Sequence, residues 1–477
     1  MWSNKLALDA KGGDKLKPFK LTNFILAAGT FILIFCTISG VSIASKYSEI
    51  NGLYKTNKVS VNLLDHIDPK GNSAFTQDNI KHLQEFSFKN IDLAYATEGK
   101  SFAAYENNQT QANIFGISNK YNKFHQINLK SGSFITSGNE NEMVAVVDEN
   151  LAIALFNNTN VVGMYIELYN QKFKIIGIID SDDSMVQTLT DNGYGSIYIP
   201  VEHMLEYDVN SKITSIELMA TDMGTTGKNI KAMNAALESI GKDSSNYRIV
   251  DYNVERILVE EKAQISIFIP GIVIIILLLL TIKKRALELF NTINIELKER
   301  YLKDILKLKY VKLSLIILEI VVALAFMYLV WITIRFAIYI PPAYIPDELI
   351  DITFFTETFE RLMQNSVLNA GYVPTFSEMK LNILNIMQNW SLYIYMFAGL
   401  PLYYLGLKLL ELDKRNILER LLYSCIFLVF SIVLSLFILK VFNMPIVVNT
   451  KEVLIVFAFV FLSAARIEQR VHESNPR

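Results

Sequence analysis

Cysteine is nearly missing from this chain: Cys36 and Cys425 are the two among 477 residues, and both lie inside apolar runs. No thiol remains outside those runs, which excludes a disulfide framework and a cysteine-based zinc site. Charge is scarce too. Asp, Glu, Lys and Arg make up 19% of the residues and balance to a net charge of -2, so there is no basic surplus to meet a nucleic acid. Histidine occurs 5 times, and His66, His82, His125 and His203 are scattered among loop and helix residues. They read as solvated surface side chains, not as a metal set. What is present in excess is apolar surface: 51% of residues are hydrophobic and 12% aromatic, with a mean hydropathy of +0.28. That balance fits a membrane protein.

About 18 apolar residues suffice to cross a bilayer core as a helix. The first such run, 21–44, follows a basic arm, 1–20, and is longer than a signal-peptide core, although Ser42 and Ala44 could mark a cleavage site; an uncleaved anchor is the preferred reading. Further spans are expected at 265–282, 313–334, 390–410, 421–441 and 445–466, giving six in all, with five as the alternative. Lys and Arg collect in the arm, after the second span (283–312), between the fourth and fifth, and after the sixth. Basic segments stay cytoplasmic. Six spans therefore place both termini inside, including the tail 467–477, and put 45–264 and the loop 335–389 outside. The fold class is an α-helical membrane protein with a mixed α+β extracytoplasmic domain between helices 1 and 2.

Inside 45–264, Met143–Val147, Lys172–Asp180 and Ser196–Pro200 alternate as strands, and Asp148–Phe156 reads as a helix opened by an acidic cap. A second strand–helix–strand run follows, with Ile230, Met233, Leu237 and Ile240 at helical spacing. The string AYATEGKS, Ala94–Ser101, fits the permissive nucleotide-binding P-loop. A working P-loop needs glycines that wrap phosphates and a helix that starts behind them. Here Ala94 replaces the first glycine and "FAAYENNQT" follows, so the string is expected to be strand, turn and strand, turning at Glu98-Gly99-Lys100. "IIGIID", ending at Asp180, imitates a Walker B strand without its glutamate. The sequons at Asn108 and Asn157 read as chance matches.

From Ile127 to Met204 the order of blocks resembles the extracytoplasmic core of the MacB/FtsX-type ABC transporter permeases. "INLKSGSFIT" carries Gly132, "MVAVVDENLAIALF" carries Ala152 and Phe156, "NVVGMYIEL" carries Gly163, "QKFKIIGII" carries Gly177, and "SIYIP" ends at Pro200. None of these residues is reactive, so they read as structural. "KKRALELF" resembles the family's cytoplasmic R-x-x-E element through Arg285 and Glu288. The family's following glycine is absent, Glu296 standing near its place, and the last pair of spans exceeds the usual four.

The resemblance implies a permease subunit of the bacterial cytoplasmic membrane, working as a dimer with an identical or paralogous copy. Separate ATPase subunits would bind ATP and magnesium, and this chain would carry no cofactor and no catalytic residue. Peptides, lipoproteins or amphipathic drugs are the implied cargo. The alternative is an FtsX-like regulator of a cell-wall hydrolase or an antimicrobial-peptide sensor. Leu287, Phe290, Ile293, Leu297, Tyr301, Ile305 and Leu308 form one helical stripe, with Glu296–Arg300 and Glu299–Lys303 in supporting i,i+4 order. The stripe fits a helix lying on lipid or one seated in an ATPase groove. The coupling candidates are Arg285, Glu288, Phe290, Leu297 and Arg300. Glu319, inside the third span, is an intramembrane candidate, with Lys312 two turns away as a local partner.

Overall fold

The computed structural model describes residues 21–64, 73–222, 227–298, 301, 305, 307–341, 345–346, 352–369, 371–412 and 417–474. Helix α1 (Leu21–Ile50) leads into a ten-stranded mixed sheet. Its strands are β1 (Lys58–Leu63), β2 (Leu93–Tyr105), β3 (Asn108–Ile117), β4 (Leu129–Gly132), β5 (Val144–Asp148), β6 (Tyr165–Leu168), β7 (Gln171–Ile179), β8 (Gly195–Pro200), β9 (Ser215–Met219) and β10 (Tyr247–Asp251). The order is β10-β1-β9-β2-β3-β8-β5-β7-β4, with β6 beside β2 and β7. Short helices cover it: α2 (Gln77–His82), α3 (Tyr121–Phe124), α4 (Glu149–Phe156), α5 (Met185–Thr190), α6 (Val201–Tyr207) and α7 (Lys228–Ser239).

The expected strands and helices fall where their patterns put them. Asp148 caps α4 by accepting the Leu151 N–H at 2.7 Å. Three apolar clusters result, one of them around Phe115, Phe134 and Val146. Met233 and Leu237 of α7 pack with Val59, Val61 and Ile216, while Leu151, Ala152 and Leu155 of α4 pack with Ile166, Phe173 and Ile197.

The P-loop-like string is extended, but the turn is elsewhere. β2 runs unbroken through Glu98, Gly99 and Lys100, pairing Lys100 with Asn113, and the hairpin closes from Tyr105 to Asn108. Glu106 takes the left-handed conformation at the turn, φ 51°. Gly99 serves close packing instead of reversal: a Cβ there would lie 2.9 Å from the Met204 Cε on α6. The alternation of small and polar residues continues through the string, and that continuity outweighs one glycine.

Strand β10 passes directly into α8 (Tyr252–Leu297), 46 residues long, whose first turn is capped by Asp251. Then come α9 (Tyr310–Ile334), α10 (Ile352–Asn369), α11 (Phe376–Ile394), α12 (Leu400–Leu412), α13 (Ile417–Val441) and α14 (Thr450–Ser474). A π-helical turn, Tyr395–Gly399, joins α11 to α12, so the two form one rod from Phe376 to Leu412. Among the described residues, 5 helices are long and apolar enough to cross a membrane: α1, α8, α9, the α11–α12 rod and α13. α14 packs beside α8 and α13 as a further helix of the bundle.

The segment 335–389 holds α10 and the first turns of α11. The second span is part of a helix that starts thirteen residues before 265 and ends fifteen after 282. The expected stripe Leu287–Leu308 is not one helix. α8 stops at Leu297, Tyr301 lies outside any helix, Ile305 is buried, Ile293 is half-buried and the other five members are exposed. The cause is a helical hairpin: the Lys309 ammonium donates to Glu296, which ties the start of α9 back against α8. Glu296 is thus paired across the hairpin; Arg300, its expected partner, lies outside the described residues together with Glu299 and Lys303.

α1 is the central helix of the bundle and packs against α8, α11, α12, α13 and α14. Gly29 lets it approach α12: a Cβ there would lie 2.4 Å from the Tyr403 nitrogen, and one on Gly406 would lie 2.7 Å from the Leu26 Cα. Such close backbone approach is how small residues pack helices in a bilayer.

Candidate functional site: a charged cluster joined by helices to the outer sheet

At the end of α8 remote from the sheet, four charges from two helices meet. Arg285 donates from Nη1 to the Glu288 Oε2 at 2.8 Å and from Nε to the Glu319 Oε2 at 2.7 Å. Lys312 Nζ stands 3.7 Å from the Glu288 Oε1. The sequence pointed to Glu319 with Lys312 as its local partner, but the partner is Arg285 on the neighbouring helix. Lys312 serves Glu288 instead. Two acids and two bases neutralise one another, which is how ionisable groups persist near a hydrocarbon layer. Phe290 and Leu297, on the same helix, are 61% and 42% exposed, so an apolar surface flanks the cluster.

The opposite end of the helices meets the sheet through a second polar junction. Glu378, 4% exposed, is its hub. It accepts the Thr375 N–H at 3.2 Å, closing a capping box on α11, and accepts the Tyr372 hydroxyl. Arg248 of β10 lies 3.8 Å from the other carboxylate oxygen and 5.3 Å from the Tyr372 ring. Phe376 packs on Phe115 at 6.0 Å, and its N–H points to Glu98 at 3.3 Å. A carboxylate facing a helix N-terminus is favourable. The P-loop-like string therefore supplies one of the contacts between the sheet and α11, through Glu98, while Lys100 lies 5.2 Å over the Tyr194 ring.

Behind this junction the sequence missed a buried ionic set. Lys58 Nζ donates to the Glu217 Oε1 at 2.7 Å and to the Phe124 carbonyl at 2.9 Å. His125 Nε2 meets the Glu217 Oε2 at 2.5 Å, and its side chain is 11% exposed. Burial works against the Glu217 carboxylate, but the charges of His125 and Lys58 and their hydrogen bonds outweigh it and hold the group at about 2. Burial pushes the His125 imidazole down. His203 is likewise largely enclosed, against Phe173 and Tyr207, and His66 lies outside the described residues. The three residues of the ionic set come from β1, β9 and the end of α3, too far apart in the chain for any spacing rule to join them.

The structural candidates are part of the sheet's scaffold. Gly132, φ 79°, is opposite Gly177, and a Cβ on Gly132 would lie 2.1 Å from the Ile176 carbonyl oxygen. Gly163 takes φ 92°. Ala152 is fully buried, Phe156 packs 4.3 Å from Tyr105, and Pro200 opens α6.

Comparison with known proteins matches residues 21–240 to a family described as the MacB-like periplasmic core domain. The chain is 23% identical over 236 residues to the uncharacterized ABC transporter permease YknZ of Bacillus subtilis, covering 46% of this chain and 57% of that one. It is 25% identical over 193 residues to the macrolide export ATP-binding/permease protein MacB of Aggregatibacter actinomycetemcomitans, covering 38% and 30%. The chain thus spans less than two thirds of either relative. Among solved structures, the extracellular domain of YknZ matches at 14% identity and a TM-score of 0.33, covering 41% of this chain and 100% of that one. The periplasmic region of MacB from Actinobacillus actinomycetemcomitans matches at 19% and 0.37, covering 46% and 97%.

Proposed function

This chain belongs to the MacB/FtsX-type ABC transporter permeases, and on that premise we propose that it is their mechanical subunit, with ATP hydrolysed by a separate partner. The observation that carries the reading is α8. It is continuous from Tyr252, at the end of β10, to Leu297, beyond the Arg285–Glu288–Glu319 cluster. At 1.5 Å per residue a helix of this length reaches roughly 70 Å, more than twice the ~30 Å core of a bilayer. Pro270 removes one backbone hydrogen bond inside the helix, but no loop intervenes, so displacement at one end is delivered to the sheet. α11–α12 is a parallel rod, clamped to the sheet by Glu98 and by the Arg248–Glu378 pair.

The cluster end is the cytoplasmic end in this reading, because the basic segments collect there. The partner ATPase seats on exposed Phe290 and Leu297, while the charge cluster fixes α8 against α9 so that load on one helix reaches both. A second permease copy completes the assembly. Cargo, a peptide, lipoprotein or amphipathic drug, is handled by the outer domain and not passed through a pore. Coupled purification tests the proposal. Reversal of both charges, Arg285→Glu with Glu288→Arg, breaks the Arg285–Glu319 bond and is expected to release the ATPase. Full retention of the ATPase by the reversed chain would contradict the seat proposed here.

A further inference from the structure

A polar cleft of about 480 Å³ opens between the sheet and the bundle, on the domain side of the membrane. Its floor comes from helices: Lys46 in the last turns of α1 and Lys380 in the first turns of α11. Its wall comes from the segment after β7, with Asp180, Asp182 and Asp183.

Lys46 is 8% exposed, and among the described residues it makes no hydrogen bond or ion pair. Its stem is packed against the helices while its ammonium lines the open cleft, where it is available to a ligand. Lys380 faces the same space, 4.8 Å from the Phe376 ring; among the described residues no carboxylate lies within ion-pair distance of it, and the charge of Asp182 on the wall reaches it through space. Two cations on one floor repel each other, so the floor is made for an anion.

The wall has the opposite sign. Asp148 is used by the N–H groups of Leu151 and Ser196, Asp182 by Ser184, and Asp191 by Gly193. Among the described residues, the carboxylates of Asp180 and Asp183 accept no hydrogen bond. Lys130, whose field reaches Asp180, is itself held by Glu149. A simple anion would be repelled by this wall, and a simple cation by the floor.

The level of the site narrows the ligand further. Lys46 also lines a smaller cavity of about 370 Å³ with Glu49, Lys440, Asn443, Met444, Pro445 and Ile446, at the end of α13. The floor thus adjoins the end of a bundle helix, where Met444, Pro445 and Ile446 give the smaller cavity an apolar side. We infer that the cleft binds phosphoethanolamine, its phosphate on Lys46 and Lys380 and its ammonium toward Asp180 and Asp183, borne by a lipid or free. The site is separate from the coupling cluster and does not depend on that reading.

The test uses the full chain purified in detergent and reconstituted in nanodiscs of mixed phosphatidylethanolamine and phosphatidylglycerol, with retained lipid identified by native mass spectrometry. Retention of phosphatidylethanolamine above its share of the mixture is expected. Lys46→Gln and Lys380→Gln should each lower it about tenfold, the scale of one lost charge-assisted contact. Asp180→Asn with Asp183→Asn should leave phospholipid bound but abolish the preference for ethanolamine. Those aspartates are exposed, so the second pair keeps the test valid if Lys46→Gln fails to fold. Displacement by free phosphoethanolamine would assign a soluble source, and resistance to it a lipid. Equal retention of both lipids by the native chain, or unchanged retention in the Lys380→Gln chain, would overturn the proposal.

Discussion

Lys58, His125 and Glu217 show how much of this domain's stability rests on single atoms. Glu217→Gln would leave Lys58 as an uncompensated buried charge, at a cost of about 3–5 kcal/mol. The expected result is a melting temperature lowered well beyond that of an exposed Glu→Gln control, read from the intact chain in detergent. The pH dependence has a definite sign. Both His125 and Glu217 titrate below their ordinary values of 6.5 and 4.5. Each therefore prefers the less protonated form when folded, and stability is lost on acidification. The histidine part disappears as pH falls below 6.5, and the glutamate part between 4.5 and about 2. A His125→Gln chain should melt with a flatter pH profile just below 6.5 than the native chain. An unchanged profile would place the titrating group elsewhere. Gly132 is the other sensitive point: Gly132→Ala combines positive φ with a backbone collision and should cost about 2 kcal/mol or more.

At the scale of elements, the local patterns were legible and the long-range ones were not. Asp148–Phe156 and Lys172–Asp180 could be read because capping and alternation are written within a few residues. The hairpin turn was misplaced because a glycine inside a strand resembles a turn until its neighbour across the packing layer, Met204, is known. The stripe from Leu287 to Leu308 has the period of one helix, yet Lys309 and Glu296 fold it into two. Periodicity reports a shared face and is silent on whether the helix is interrupted. His125 failed for a similar reason, because its partners come from distant strands. The corrected reading of Ala94–Ser101 makes a prediction of its own. Lys100→Ala should leave ATP turnover of the assembled complex unchanged, since Lys100 is an exposed strand residue lying over the Tyr194 ring. Glu98→Ala should instead weaken the seat of α11, seen as faster hydrogen exchange over its first turns. In the bundle, Gly29→Val would force α1 away from Tyr403 and should lower stability by about 2 kcal/mol.

The whole molecule is a sheet held by helices that continue through a membrane, with charged joints at both ends. Of the coupling candidates, Arg285 and Glu288 come together and are joined by the intramembrane candidate Glu319, Phe290 and Leu297 remain as exposed apolar surface, and Arg300 lies outside the described residues. The sequence could supply the first two through a motif, but the pairing with Glu319 required two helices to be placed side by side. The central claim is that α8 transmits load as a rod. Its most direct test places spin labels at Asn107, the tip of the β2–β3 hairpin, in the assembly with its ATPase, and measures the label-to-label distance with and without ATP. The native assembly should show an ATP-dependent shift. A Gly-Gly-Gly insertion between Gln264 and Ile265 should abolish that shift while ATP turnover persists. An undiminished shift in the inserted chain would contradict the account.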